Sequence, residues 1–408
     1  REPGYRRMTA ARLGFHWPDL RGGESARPRV LVHGVSVGEV KGARSLVERL
    51  RSRRPEVEVV ICTTTNTGED VARVVYPDLR VVRLPIDISF LVTRFLRRID
   101  PACIVLVELE IWPNLLRRAN REGRPVAIVN GRITPNSFRR YKLFRHYLPQ
   151  FNRTSLYCVQ DQEYAERFDA LIESSDRTVV TGNIKVDGLP TGEVTPSAEV
   201  LRLLAPRAGQ QVLVCGSTHA PEERRLVDSW RRSFPDARLV LVPRHPERGK
   251  ELARELLREA GVETQRWPEP AAPGAAPSDP ARPCIVDVIG VLEQVYALAD
   301  LVFVGGSLVP HGGQNMLEPA AQGRAVVYGP FVSNFAQEAS LLEKAGAARR
   351  LDDASQLDSM VPALLADPAA RARMGEAGRA AVEAQKGATA RTLAALEERV
   401  LVALPRRR

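Results

Sequence analysis

No run of about 18 apolar residues occurs anywhere in these 408 residues, so nothing in the sequence is built to cross a membrane as a helix. A signal peptide, a CxxC pair and Cys/His zinc spacing are also missing. The five cysteines (Cys62, Cys103, Cys158, Cys215, Cys284) are few, odd in number and mostly set in apolar runs, which reads as buried thiols in a reducing compartment. Lysine is scarce as well, with six against 53 arginines, in a chain of net charge +10. That excess favours an anionic partner (nucleic acid, a phospholipid surface or a phosphorylated substrate) without choosing among them. No G-x-x-x-x-G-K-[ST] occurs, and no G-x-G-x-x-G follows a strand, which argues against P-loop NTPases and dinucleotide enzymes. No Asp-x-Asp pair offers an obvious metal site, and no motif here calls for a cofactor.

What is present is material for two packed domains: 44% apolar and 26% charged residues over about twice the usual domain length. Short β-rich runs at Val30–His33, Val57–Cys62, Val81–Leu84, Cys103–Val107, Val126–Val129 and Leu156–Val159 alternate with helical patterns such as Glu39–Arg51 and Leu115–Arg121. After a loose Pro/Gly stretch, the alternation restarts with Gln211–Cys215, Leu239–Val242, Cys284–Val286, Leu301–Val304 and Ala325–Tyr328. Such alternation predicts an α/β fold of two Rossmann-like domains with parallel sheets. The expected boundaries are 1–186, a linker over 187–198, 199–385, and a C-terminal helix over 386–408 that packs back on the first domain. The Pro/Ala-rich tract Pro268–Pro283 reads as a surface loop.

In open α/β sheets, ligands bind beyond the carboxyl ends of the strands. Four of the six histidines, His33, His219, His245 and His311, fall at or just after such ends, beside Gly, Ser or Arg. His33-Gly34-Val35-Ser36-Val37-Gly38-Glu39 has the strand–turn–helix form whose free amides bind anions. It also contains a G-x-S-x-G, which keeps a serine hydrolase with Ser36 as nucleophile among the readings. Glu39 is either a first-turn carboxylate favoured by the helix dipole or a general base. Arg244, directly after a strand with Pro243, can make a bidentate phosphate contact or a surface ion pair. Ser217 and His219, the Gly305-Gly306-Ser307 turn, and Gly312-Gly313-Gln314-Asn315 with Glu318 surround further strand-to-helix junctions, where amides face phosphate and side chains face sugar hydroxyls. Glu108 and Glu110 end a buried strand, where alternation predicts both carboxylates on one face, one of them free to cap the helix near Pro113. Lys185 is a lysine where arginine is the habit of the chain.

The ordered set HGVSVGE, ELEIWPN, NGRIT, GNIKVD, GSTHAPEE, VPRHPER and VGGSLVPHGGQNMLEP resembles the 3-deoxy-D-manno-octulosonic acid (Kdo) transferase family, from about Tyr5 to Leu401. The resemblance implies the GT-B fold and an inverting, metal-independent transfer of Kdo from CMP-Kdo to a glucosamine hydroxyl of the lipid A precursor (lipid IVA), in lipopolysaccharide biosynthesis. It implies Glu39 as proton acceptor and Glu108 and Lys185 as transition-state supports. CMP contacts are implied at Pro243 and Arg244, at Ile289, Gly290 and Val291, and at Asn315, Met316, Leu317 and Glu318. In-line attack then requires domain closure, with cationic and backbone donors neutralising the departing CMP.

Two departures from the family pattern stand out. Ile289-Gly290-Val291-Leu292 occupies the place of M-G-E-L, so one carboxylate is missing, and Gly34 stands where Ala is usual. Family members commonly carry an N-terminal hydrophobic anchor, and none is visible in this sequence. The resemblance implies a membrane-associated enzyme at the cytoplasmic face of the bacterial inner membrane. The basic stretch Arg1–Arg12 would then meet anionic headgroups or serve as a solvated charge run. Competing readings are another GT-B enzyme with a different sugar nucleotide, the hydrolase at Ser36, and a non-catalytic lipid-surface module. Nucleic-acid binding is weaker, because the basic residues are dispersed and no recognition motif is present.

Overall fold

The computed structural model describes residues 12–13, 17–21, 27–144, 149–204, 206–267, 279–402 and 404. The basic stretch Arg1–Arg12, save Arg12, and most of the Pro268–Pro283 tract lie outside the described residues. The chain divides into two compact units, Arg1–Gly188 with Gln385–Arg408, and Leu189–Ala384.

The first unit carries seven parallel strands: β1 (Arg29–His33), β2 (Glu58–Thr63), β3 (Arg80–Arg83), β4 (Pro101–Val107), β5 (Val126–Gly131), β6 (Leu156–Val159) and β7 (Thr178–Val180), in the order β3-β2-β1-β4-β5-β6-β7. Both faces are covered, so the strands read as continuous apolar runs. Alternation divides them between two layers. Leu31, Val60, Ile104 and Ile128 pack with Phe95 and Leu116, while Val30, Val59, Val105 and Ala127 pack with Leu46 and Leu50. Leu393 and Leu396 of the C-terminal helix Ala388–Arg399 join the second layer. The Asp187 carboxylate anchors that helix by accepting from the Gly387 and Thr389 amides at 2.7 and 2.5 Å, two of the donors a helix start leaves unpaired.

The second unit repeats the plan with β8 (Val212–Thr218), β9 (Arg238–Pro243), β10 (Gln265–Trp267), β11 (Cys284–Val286), β12 (Leu301–Val304), β13 (Ala325–Tyr328) and β14 (Ala348–Arg350), in the order β10-β11-β9-β8-β12-β13-β14. Every pairing is again parallel. Two close approaches shape this sheet. A Cβ at Gly216 would sit 2.1 Å from the Tyr296 hydroxyl, and one at Gly305 would sit 2.6 Å from the Ser217 carbonyl oxygen. Only glycine allows β8 and the turn after β12 to pack so tightly. All five cysteines are buried and unpaired as disulfides. Among the described residues, no helix is long and apolar enough to cross a membrane.

Candidate active site

In each sheet the strand order reverses beside the first strand of its unit, and there the loops leaving two neighbouring strands diverge to open a crevice; the second sheet reverses again towards its edge, where β11 lies between β9 and β10. In the first unit that place lies between β1 and β4; in the second, between β8 and β12.

In the first unit, β1 leads through Gly34 and Val35 into the helix Val37–Gly42, whose N-cap is Ser36. The Ser36 hydroxyl accepts from the Glu39 amide at 3.3 Å and donates to Glu39 Oε1 at 2.8 Å, while the Val35 amide donates to Oε2 at 2.7 Å. This is a reciprocal cap in which the N3 carboxylate folds back over the helix start. Glu39 is 9% exposed. Burial pushes its carboxyl above the ordinary range and the charge of Glu108 adds to that, outweighing the Ser36 and Val35 bonds and the Lys185 ammonium. Burial therefore overrides the acidifying helix terminus, and Glu39 is a stronger base than a free carboxylate. Ser36 is extended (φ −100°, ψ 161°) and gives its hydroxyl hydrogen to a carboxylate. That is neither the strained backbone of a nucleophile elbow nor the proton path of one.

Glu108 follows β4 in the left-handed region (φ 63°), so the strand's alternation ends at Val107 and does not set the faces of Glu108 and Glu110. Nor does either carboxylate cap the helix Pro113–Arg121. Asp87 does so, accepting from the Asn114 and Leu115 amides at 2.9 and 3.0 Å. Glu108 instead receives Lys185 Nζ at 2.5 Å and Arg132 Nε at 2.8 Å. Burial alone would raise its pKa, but the Lys185 and Arg132 charges more than offset it and hold the carboxyl below the ordinary range. Glu110 has no such pair. Burial, then the charge of Glu39, pushes it up to about 7.

Lys185 lies in the short helix Ile184–Asp187, set by two side-chain amides. Asn183 Oδ1 accepts from the Lys185 amide and Asn130 Oδ1 from the Ile184 amide, both at 3.1 Å. The lysine stem crosses Gly42, where a Cβ would lie 2.8 Å from Cγ and 2.9 Å from Cε. His33 is a core residue: fully buried, Nδ1 at 3.1 Å from the Cys62 carbonyl, edge-on to Trp112, and lowered by burial to about 4. Arg132 and Asn130 were not singled out by the sequence, although both lie in the NGRIT motif. The Asn-Gly dipeptide at the end of a strand was the available signal.

In the second unit, Ser217 (φ 56°) and His219 close β8, and Gly305 to Ser307 follow β12. Glu222, fully buried, ties the two together: its Oε1 accepts from the His219 and Gly306 amides at 2.7 and 2.6 Å, and its Oε2 from Leu308 at 3.3 Å. Burial nevertheless raises it to about 7. The sequence reading overlooked this residue; an acid after the turn, within GSTHAPEE, was the only sign. Gly313 donates to the Gly306 carbonyl at 2.8 Å, and Gly312 (φ 88°) accepts from Asn334 at 2.9 Å. Pro243 ends β9, and the Arg244 amide donates to the Thr218 carbonyl at 2.9 Å, which leaves an exposed guanidinium with no ion pair among the described residues. Asn315 Nδ2 donates to Glu318 Oε1 at 3.0 Å, whereas the Met316 and Leu317 side chains are buried. Ile289 is 79% exposed and Gly290 has φ 90° in the turn after β11; Val291 is the N-cap of the helix Leu292–Tyr296. No bond joins that turn to the His219 group among the described residues. Nor is any group of three or more His, Cys, Asp or Glu arranged to hold a metal ion there.

Two parallel seven-stranded sheets, each with polar residues gathered at a reversal of strand order, define a GT-B fold. The same fold is found in a glycosyltransferase from Rickettsia africae ESF-5 (TM-score 0.64, 12% identity, 91% of this chain and 98% of that one). It is found too in a putative UDP-N-acetylglucosamine 2-epimerase from Listeria monocytogenes (TM-score 0.63, 14% identity, 91% and 96%). Sequence is more specific. Residues 7–188 match the family model of 3-deoxy-D-manno-octulosonic-acid transferase. The 3-deoxy-D-manno-octulosonic acid transferase of Haemophilus influenzae is 32% identical over 96% of this chain and 91% of its own length. That of Bordetella pertussis is 34% identical over 90% and 87%. The chain belongs to the Kdo transferase family.

Proposed function

We propose that this enzyme transfers Kdo from CMP-Kdo to a glucosamine hydroxyl of the lipid A precursor in lipopolysaccharide biosynthesis, with inversion at the anomeric carbon. The observation that carries the reading is the buried Glu39 carboxylate, oriented by Ser36 and Val35 and raised in basicity, beside the Glu108–Lys185 ion pair. Glu39 takes the proton of the acceptor hydroxyl as its oxygen attacks the anomeric carbon. The bond from that carbon to the phosphate oxygen breaks, and CMP leaves with the electron pair. Lys185 and Glu108 hold local charge fixed while the proton moves. Arg244 and the turn amides of the second unit supply donors for the nucleotide phosphate, and Asn315 with Glu318 supplies groups for its sugar hydroxyls. The acceptor's lipid chains make a membrane-peripheral enzyme at the cytoplasmic face of the inner membrane the natural setting, with anionic headgroups the partner of the basic surface.

The test is CMP release from CMP-Kdo with a tetra-acylated lipid A precursor, comparing the parent with Glu39→Gln. Acceptor-dependent release, reduced about 10²-fold or more in the variant, supports both donor and base. Release by both proteins removes Glu39 from its role. No release, with UDP rather than CMP raising the melting temperature, favours a different sugar nucleotide.

A further inference from the structure

Three of the chain's six histidines converge in the second unit. The His219 ring stacks on His311 (centroids 4.4 Å apart, planes 28° apart) and meets His245 edge-on at 5.8 Å. His219 comes from the end of β8, His245 from the turn after β9, and His311 from the segment after β12, so three neighbouring strand ends contribute one ring each. His219 is half-buried, while His245 and His311 are exposed. Gln314 Nε2 lies 3.1 Å from His219 Nε2. With the ring neutral, the amide donates there and the ring hydrogen sits on Nδ1; protonation of Nε2 requires the amide to turn and offer Oε1 instead. The His219 backbone is fixed through its amide by Glu222. The charged and titratable groups around this ring are His311, His245, Arg244 and Arg248, with Glu222 on the following helix. Two further carboxylates lie close: Glu223, engaged by Arg248 at 3.0 Å, and Glu247, whose Oε1 is 3.5 Å from His245 Nδ1 at the exposed side of the cluster. Burial first, then the crowd of positive neighbours, lowers His219 to about 4.

Stacked imidazoles beside two guanidiniums are poorly arranged for one another once any of them is charged, and well arranged for an anion that enters among them. Resting on the glycosyltransferase reading, we propose that His219, His245 and His311 form an oxyanion-binding cluster for the donor, in which His219 takes up a proton from solvent as the anion enters. The anion is the donor's phosphate or the carboxylate of its sugar acid; both present the same oxygens to the same ring. Neutral His219 plus a solvent proton becomes imidazolium, paired with the ligand's negative charge. Donor affinity therefore rises as pH falls through the raised, anion-bound midpoint towards the free midpoint near 4, by up to about tenfold per pH unit for one proton, and levels off on either side.

The test follows the imidazole Cε1–H resonances by NMR through a pH titration of the intact chain: alone, then with saturating CMP, Kdo, cytidine and inorganic phosphate in turn. Loss of one peak in His219→Gln assigns the ring; if that variant does not fold, single Gln variants at His16, His33, His146, His245 and His311 assign the other five peaks and leave His219 by elimination. The expected result is a His219 midpoint near 4 in the free protein that moves up by at least about one pH unit with an anion and not with cytidine. A shift with CMP identifies phosphate as the source, and a shift with Kdo alone identifies carboxylate. A shift with inorganic phosphate but with neither CMP nor Kdo keeps the cluster and removes the donor assignment. An unmoved midpoint with every anion, even while CMP binds, overturns the proposal.

Discussion

Replacing Lys185 by Met keeps a stem of similar length over Gly42 and removes only the charge. Glu108 then loses the cation at 2.5 Å and keeps Arg132 at 2.8 Å. Stripping a buried carboxylate of its partner costs about 3–5 kcal/mol. Two features reduce that figure: a second cation remains, and the Lys185 side chain is 35% exposed, so water already screens part of the attraction. A loss of about 1–2 kcal/mol follows, read as a lower urea midpoint with an unchanged slope. The same ammonium also lowers Glu39. Glu39 accepts a proton only when ionised, so activity is lost as pH falls through its pKa. Without Lys185 that pKa rises further and the acid limb of kcat/KM moves to higher pH. One unit charge across a partly wet crevice is worth about 1 kcal/mol, which is about 0.7 pH unit. Glu108→Gln removes the negative neighbour that raises Glu39, so its acid limb moves to lower pH even as the plateau falls. The reasoning is refuted if both variants shift the limb in one direction, or if Lys185→Met leaves midpoint and limb unchanged.

Gly42→Ala puts a methyl 2.8–2.9 Å from the flexible Lys185 stem. Kinetics and thermal melts should show a drop in kcat at least as large as that of Lys185→Arg, with a change in stability under about 1 kcal/mol. Glu222→Ala leaves three buried backbone donors unpaired and should cost several kcal/mol at about 1–3 each, whereas Glu222→Gln keeps an acceptor for His219 and Gly306 and costs less. Because burial raises Glu222 to about 7, the native state binds its proton more tightly than the unfolded chain. The stability this gives is present in acid and declines between about pH 5 and 7; denaturant midpoints of Glu222→Gln should lack that slope. All five thiols are buried, and burial pushes Cys62, Cys103, Cys158 and Cys215 above the ordinary thiol pKa. A thiol-reactive dye should therefore label none of Cys62, Cys103, Cys158 or Cys215 until the protein unfolds, and fast native labelling of any of them contradicts that burial.

Most β-strand runs were legible in the sequence because both faces of each sheet are covered, so Val30–His33 or Leu301–Val304 stands out as an unbroken apolar block between helical patterns, whereas the three-residue edge strands β7, β10 and β14 were not. The candidate carboxylates were legible because they follow those blocks. Partnership was not. Nothing in the spacing of Glu108 and Lys185 announces a bond across 77 positions, and Arg132 looked like one arginine among 53. The sign of the Glu39 shift was hidden as well, since helix dipole and burial oppose each other and only the depth of the crevice decides between them. Alternation misled at Glu108 and Glu110 because it presumes extended backbone, and Glu108 is left-handed. His33 looked like His219 in sequence context, yet one ring is sealed beneath its sheet's loops and the other is half-open beside two more imidazoles.

That left-handed residue belongs to a pattern. Among the described residues, four non-glycine positions have positive φ: Asp100, Glu108, Asn130 and Ser217. Asp100 caps a helix, a common use of that conformation. The other three sit at the carboxyl ends of β4, β5 and β8, and each such backbone costs about 1 kcal/mol or more that local packing has to offset. Each also orients part of a crevice. Glu108 turns its carboxylate to Lys185 and Arg132, and Asn130 holds the Ile184 amide and with it the start of the lysine's helix. Ser217 bends the chain so that His219 and Glu222 meet the turn after β12. Relaxing one of these turns should therefore cost activity before it costs stability. Asn130→Gly, which keeps the backbone and deletes the amide, should free the Lys185 helix and lower kcat, whereas Asp100→Gly should leave kcat where it was. Equal effects from the two would mean that the strained strand ends serve the fold and not the chemistry.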